Sequence, residues 1–360
     1  TLIRRTIDMK KLYYFIIPAL LLGSCQSDPT LETESSPLVR TKVTELQYAQ
    51  TDKIDVEALN IISPYKFVKK GNLYAFLTPS SAYRFAIYNS ENGTVTRLVP
   101  AGRNEGEGMY FISMNLNGDI VSAFDFGTKK FVEINLNEYA TPGYQPTFTS
   151  LTDNNKTPIG AIRIGDRLLS TGVYTQGRYC ISQASGADTY SVSYPACADP
   201  TLTDTLKSAF YASNTLAVKP TLERLACANM QTGCLDICEI NGNELTRVNE
   251  VHLTPAKVKF NRHRPKGRGL VHPVNYSKYH IFGFCDLAVS DDYIYALYSG
   301  RTLKQHNLDK TILVFDWNGS HVRTYRLENA CSSISYSAEE NTIYALSQEN
   351  NHSEIITLHL

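Results

Sequence analysis

A short apolar strand followed twelve residues later by another recurs along most of this chain. Leu73 and Phe85, Ile120 and Val132, Leu168 and Cys180, Leu225 and Ile237, and Ile343 and Ile355 keep that offset, and only Ile294 and Leu313 widen it to 19. Successive units start 47, 48, 57, 69 and 49 residues apart. Glycine-containing pairs sit between the apolar runs: Asn92-Gly93, Asn117-Gly118, Gln176-Gly177, Thr232-Gly233, Asn241-Gly242 and Asn318-Gly319. Glycine accepts positive φ without a Cβ clash, so these read as hairpin turns. No unit carries a long stretch of helical periodicity. Four antiparallel strands per unit, repeated near a 47-residue minimum, is the pattern of a β-propeller blade. The expected fold is therefore all-β, a six-bladed β-propeller. Two separate β-sandwiches would use similar strands but would not require the period.

Composition agrees with this reading. Tyr at 23 and Phe at 14 against Met at 4 favour strands. The last unit, Cys331 to Leu360, has room for three strands only. An N-terminal strand is expected to close the last blade, because an unpaired edge would expose backbone donors and acceptors. Val43 to Ala49 has the alternation for that role.

The N-terminus predicts an address. After Met9, Lys10 and Lys11, an apolar run of 11 residues spans Leu12 to Leu22. A bilayer span takes about 20, so a secretory signal fits better. Leu22-Gly23-Ser24-Cys25 resembles a bacterial lipobox, which implies cleavage before Cys25 and a lipid on its sulfur; an ordinary signal peptide with a chance Cys is the alternative. Acyl chains contribute roughly 0.8 kcal/mol per buried CH₂, enough in combination to hold a protein at a membrane. The expected organisation is a signal with upstream extension over 1–24, a lipidated Cys and flexible tether over 25–41, and the propeller over 42–360. Asp28, Glu32 and Glu34 resemble the acidic export tags of Bacteroidetes surface lipoproteins, so both a periplasmic and a cell-surface orientation at the outer membrane stay open.

Seven cysteines follow Cys25, an odd number with no CxxC or His/Cys zinc-finger spacing. Several lie in apolar strand patterns, where Cys acts as a small hydrophobe.

Longer stretches resemble one family. They are Gly102-Arg103-Asn104-Glu105-Gly106-Glu107-Gly108, Leu169-Ser170-Thr171-Gly172 with Gly177-Arg178-Tyr179, and Tyr293 to Gly300 followed by Val314-Phe315-Asp316. In that order they resemble the TolB-like six-bladed propeller lipoproteins of Bacteroidetes. The resemblance implies the six-bladed fold and the lipid anchor, and implies no activity.

In a four-stranded blade, the link to the next blade and the hairpin between second and third strands emerge on one face, here called the link face. Two insertions emerge there: the link from His252 to Lys278 and the hairpin from Ser299 to Lys310. The Gly102 to Gly108 link opens on the same face. Long loops on a rigid scaffold commonly carry function. The first insertion holds Lys257, Lys259, Arg262, Arg264, Lys266, Arg268 and Lys278, with no Asp or Glu between Val251 and Cys285. Without residues 1–24 the chain has 31 bases against 34 acids, so this is a basic patch on an acidic body. The candidate ligand-binding residues are Arg103, Arg262, His263, Arg264, Lys266, Arg268, Arg301, Lys304 and His306. Their chemistry suits an anionic glycan, peptide or envelope protein; a merely solvated loop is the plain alternative. Neutral overall charge speaks against a nucleic-acid binder.

Catalytic signatures are sparse. No Gly-x-Ser-x-Gly elbow, P-loop or dinucleotide fingerprint occurs. His263, His272 and His280 have no dedicated zinc spacing, and no metal or cofactor is expected. Asp125, Asp286, Asp291, Asp292 and Asp316 lie at strand ends, where carboxylates could act or simply terminate strands. The expectation is a non-enzymatic, lipid-anchored binding module. The alternative is a hydrolase or lyase acting on a sugar or lactone in the central channel. A scaffold in an envelope complex is a third possibility.

Overall fold

The computed structural model describes residues 30–32, 43–46, 53–79, 82–151, 157–183, 186–197, 199, 202–254, 257–260, 274–302, 304–305, 310–349 and 352–360. Six antiparallel sheets follow one another around a ring, each meandering from an inner to an outer strand. Blade 1 runs Lys66–Lys70, Leu73–Leu77, Tyr83–Asn89 and Thr94–Pro100. Blade 2 runs Phe111–Asn117, Ile120–Asp125, Lys130–Asn135 and Thr147–Ser150. Blade 3 runs Pro158–Ile164, Arg167–Gly172, Tyr179–Ser182 and Asp188–Ser191. Blade 4 runs Asn214–Val218, Arg224–Asn229, Cys234–Asn241 and Glu244–His252. Blade 5 runs Phe284–Val289, Tyr293–Tyr298, Thr311–Asp316 and His321–Leu327. Blade 6 begins with Cys331–Ser337, Thr342–Glu349 and His352–His359. The twelve-residue offset thus relates the second and third strands of five blades, and blade 5, with its lengthened hairpin, has the offset of 19.

An N-terminal strand does close blade 6, but it is Lys53–Asp55, pairing antiparallel with His352–His359. Lys53 reinforces the join with an ion pair to Glu354 at 2.8 Å. The expected segment has another place. Val43–Leu46 runs parallel to His321–Leu327 as a fifth strand on blade 5. Alternation reports that a segment is a strand, not which edge it covers, and three residues are too few to show alternation at all.

The core lies between blades. Blades 1 and 2 meet through Leu77, Phe85, Ile87, Phe111, Val121 and Val132, all buried. Comparable clusters fill the other seams, and the blade 2–3 seam is the smallest, with Phe124, Phe131, Ala161 and Leu168. There Arg163 adds a two-pronged ion pair to Glu133 over the Phe131 ring. Each buried Phe or Leu contributes roughly 1.5–3 kcal/mol, so the ring is held by repeated local seams.

Five of the six predicted turn glycines have positive φ; Gly177 does not. At Gly177 a Cβ would lie 2.9 Å from the Ser191 carbonyl oxygen, so close passage of the outer strand requires glycine there.

Blades 3 to 5 carry additions on the link face. The helix Asp204–Tyr211, the one α-helix among the described residues, lies in the link between blades 3 and 4. Asp204 in its first turn complements the helix dipole, and Leu206, Phe210 and Tyr211 are buried. In the blade 4–5 link, Lys257–Phe260 pairs with Val274–Tyr276 and with Thr30–Glu32. The last of these falls within the segment read above as a tether. Helix and small sheet share an apolar cluster of Tyr194, Phe210, Tyr211, Cys234, Val258 and Phe260.

Candidate functional site

The two ends of the ring differ in kind. Nine large hydrophobic side chains are exposed among the described residues, and six of them stand on the link face: Ile62, Tyr83, Tyr110, Phe126, Met230 and Tyr279. Tyr279 is 72% exposed and Tyr110 57%, far beyond what packing requires. All six lie on links between blades or at hairpins between second and third strands. Such clustering on one end marks an interaction surface better than scattered single residues would.

The Gly102–Gly108 link is fastened from below. Asp125, fully buried, accepts the N–H groups of Met109 (2.7 Å), Tyr110 (2.9 Å) and Gly127 (2.8 Å), and the Thr128 hydroxyl (2.7 Å). Burial opposes ionisation of this carboxyl, but these donors hold it below the usual carboxylate range. The Glu107 carboxylate accepts the Asn104 N–H at 2.8 Å, and Lys130 donates to the Asn104 carbonyl. Arg103 stands exposed on this link.

The blade 4–5 insertion is fastened differently. His280 is buried against Tyr276 and Phe282 and shares a 2.6 Å hydrogen bond between Nε2 and the Gln231 carbonyl. Burial pushes its pKa below the ordinary histidine value. Gly283 passes Gly233 so closely that a Cβ on it would lie 2.3 Å from the Gly233 Cα. In the blade 5 hairpin, Lys304 is exposed and Arg301 half-buried. Arg262, His263, Arg264, Lys266, Arg268 and His306 lie outside the described residues. Arg103 shares the link face with Arg301 and Lys304 but belongs to the blade 1–2 link, across the ring from the insertions.

Beneath the insertion, a buried charge network joins blades 3 and 4. Asp236 accepts Arg178 Nη1 at 2.8 Å, the Tyr179 hydroxyl at 2.8 Å, and Arg247 at 2.7 and 3.0 Å. Burial alone would raise the Asp236 pKa, but Arg178 and Arg247 hold it below the carboxylate range. Cys227, Cys234 and Cys238 share this face and remain thiols; burial pushes their pKa values up.

The central channel is a cavity of about 510 Å³ lined by the inner strands of all six blades. Each cation of its wall is paired with a carboxylate, Lys70 with Asp119 at 3.8 Å among them. Lys66 pairs with Asp286 at 2.6 Å, Lys69 with Glu340 at 2.7 Å, Lys219 with Glu223 at 2.5 Å, and Arg163 with Glu133. Asp286 also accepts the Ser333 hydroxyl (2.5 Å) and the Ile334 N–H (3.0 Å), stitching blades 5, 6 and 1. Asp316 accepts the N–H groups of Asn318 and Ser320 and shapes a turn. Asp125, Asp286 and Asp316 therefore have structural partners. Trp317 is buried in the blade 4–5 seam, with its indole N–H on the Ser290 carbonyl at 3.1 Å.

The residues sequence reasoning missed are the exposed aromatics, whose positions just outside strand ends were the available signal. Also missed were Cys234, Glu250 and His252, whose ligand atoms lie within 4.8 Å of one another.

Comparison with known proteins decides the family. Residues 42–339 match the family described as TolB-like 6-blade propeller-like. The chain belongs to this family. Its fold is similar to that of an exported protein from Bacteroides fragilis, with TM-score 0.52 and 11% identity, covering 88% of this chain and 99% of that one. It also resembles the β-propeller domain of Myceliophteria thermophila Cps50 (Swd1), with TM-score 0.46 and 12% identity over 82% of this chain and 96% of that one. The RRP9 WD40 repeats give TM-score 0.49 at 12% identity, covering 88% and 100%. At these identities the likeness is one of fold. No curated protein matches in sequence. The TolB-like assignment therefore brings an architecture, and any activity has to be argued from the residues.

Proposed function

We propose that this TolB-like propeller is a non-enzymatic recognition module of the cell envelope. A lipid on Cys25 tethers it to the outer membrane, and the link face meets an anionic glycan, peptide or envelope protein. The observation that carries this reading is that, among the described residues, six of the nine exposed large hydrophobics stand on the face that also bears both insertions. Exposed aromatics on the face from which the basic insertion springs suit a partner with apolar and acidic groups. The channel's cations are already paired with carboxylates and give no comparable grip on an anion. The exported Bacteroides neighbour, alike in fold, is consistent with an extracytoplasmic setting.

Two experiments test this. Replacing Arg262, Arg264, Lys266 and Arg268 with Ser is expected to advance elution from a polyanion column at low salt, and the difference should shrink as salt is added. Equal elution of variant and parent would remove the anionic partner. Separately, Cys25→Ala is expected to move the protein from the membrane fraction to the soluble fraction, and unchanged partitioning would remove the lipid tether.

A further inference from the structure

The outer half of blade 4 brings together three donors of different chemistry. Cys234 and His252 are directly opposed across the third and outer strands, as are Asp236 and Glu250. Side chains alternate along a strand, so all four occupy one side of the sheet. Asp236 is consumed by Arg178, Tyr179 and Arg247. The ligand atoms of Cys234, Glu250 and His252 lie within 4.8 Å of one another, and Cys234 is fully buried. A second observation points to the same place. The Tyr211 hydroxyl is buried with no hydrogen-bond partner among the described residues, and the groups acting on it include Cys234, Arg178 and Glu250. Buried polar atoms are rarely left so, and each needs an explanation such as water or an ion.

We propose that Cys234, Glu250 and His252 bind a divalent transition ion, zinc by its donor set. Sulfur and imidazole select zinc over calcium or magnesium, and three protein ligands leave a fourth position for water. A water there gives the Tyr211 hydroxyl the partner it lacks. Binding breaks the Cys234 S–H bond, forms the metal–sulfur bond and releases one proton to solvent, while the His252 ring proton moves to the nitrogen that does not face the ion. It also replaces two contacts of Glu250, to His252 at 2.6 Å and to Arg247 at 3.1 Å. Arg247 keeps both bonds to Asp236, so no guanidinium is left without a counter-charge. This site is independent of the anionic partner proposed above.

The test uses the full chain stripped with a chelator and titrated with cobalt(II). One ion per chain is expected, with a thiolate-to-cobalt charge-transfer band that zinc abolishes by displacement. About one proton should be released per ion. Cys234→Ser is expected to lose the band, while Cys227→Ser keeps it: its thiol lies 3.7 Å from the same Arg178 but outside the donor set. Glu250→Gln and His252→Gln should each weaken cobalt binding at least about tenfold; these two variants decide the matter if Cys234→Ser does not fold. Absence of stoichiometric binding, a band that survives in Cys234→Ser, or undiminished affinity in both other variants would overturn the site.

Discussion

Two long links share one face of the ring and are anchored by opposite means. The Gly102–Gly108 link is held by polar contacts: Lys130 and Arg84 donate to its carbonyls, and just after it the ionised Asp125 accepts the Met109 and Tyr110 N–H groups together with two donors of the blade 2 hairpin. The blade 4–5 insertion instead rests on apolar cover, a neutral histidine and a close glycine contact, above the buried Arg178–Asp236 network. The first arrangement is polar, with Asp125 its most connected group, and needs little buried area. The second spreads it over a small added layer. The ring scaffold is common to both, so loop length alone does not decide how rigidly a propeller presents its face.

The largest test strikes the foundation of the insertion. Asp236→Ala leaves Arg178, 1% exposed, without its counter-charge. Breaking a buried pair costs about 3–5 kcal/mol, so a large fall in thermal midpoint is expected, with hydrogen exchange rising across the blade 3–4 seam. A midpoint within one or two degrees of the parent would show the network to be incidental. Next in size is Asp125→Ala. Stranding buried donors costs roughly 1–3 kcal/mol, and exchange should rise at residues 102–110 while residues 274–283 stay protected. Protection lost equally from both links would erase the contrast between them. The pH sign follows from the depressed pKa of Asp125. Its contribution is complete above the unfolded carboxylate value of about 4 and is lost as pH falls through the lower folded value. The difference between parent and Asp125→Asn should therefore be constant through neutral pH and shrink only in acid.

How much of this could be read from residues alone depends on the length scale of each feature. The blades were legible because a twelve-residue offset between second and third strands is imposed by strand and turn lengths within one unit. Closure was legible as a need, but not as an address, since Val43–Leu46 and Lys53–Asp55 are both short and differ only in which distant edge they meet. The Cys234–His252 juxtaposition was hidden for a sharper reason. The hairpin register from Asn241 and Glu244 continues to Cys238 opposite Arg247, then shifts, so that Ile237 opposes Asn249. Without that bulge Cys234 would face Val251, and His252 would point to the other side of the sheet. A one-residue slip exchanges faces, and no pattern of apolar residues announces it. The basic run from Arg262 to Arg268 was plain as charge, while the aromatic half of the same face was not, because Tyr110 and Tyr279 look in sequence like any strand-flanking aromatic.

The smallest expected effect separates the two links by pH. His280 is neutral in the fold because burial disfavours imidazolium, and its folded pKa lies below the ordinary histidine value. The unfolded or detached form therefore takes up a proton first as pH falls below about 6.5. Stability of the insertion is complete above that value and declines below it, whereas the Asp125-anchored link is still at full strength. Hydrogen exchange at pH 5.5 against pH 7.5, corrected for the intrinsic rate, should show residues 274–283 opening more readily at the lower pH and residues 102–110 unchanged. His280→Gln keeps a donor for the Gln231 carbonyl but cannot titrate, so it should flatten the response of the insertion alone. A response that survives this substitution would move the acid sensitivity to another group and leave the neutral anchor without its predicted signature.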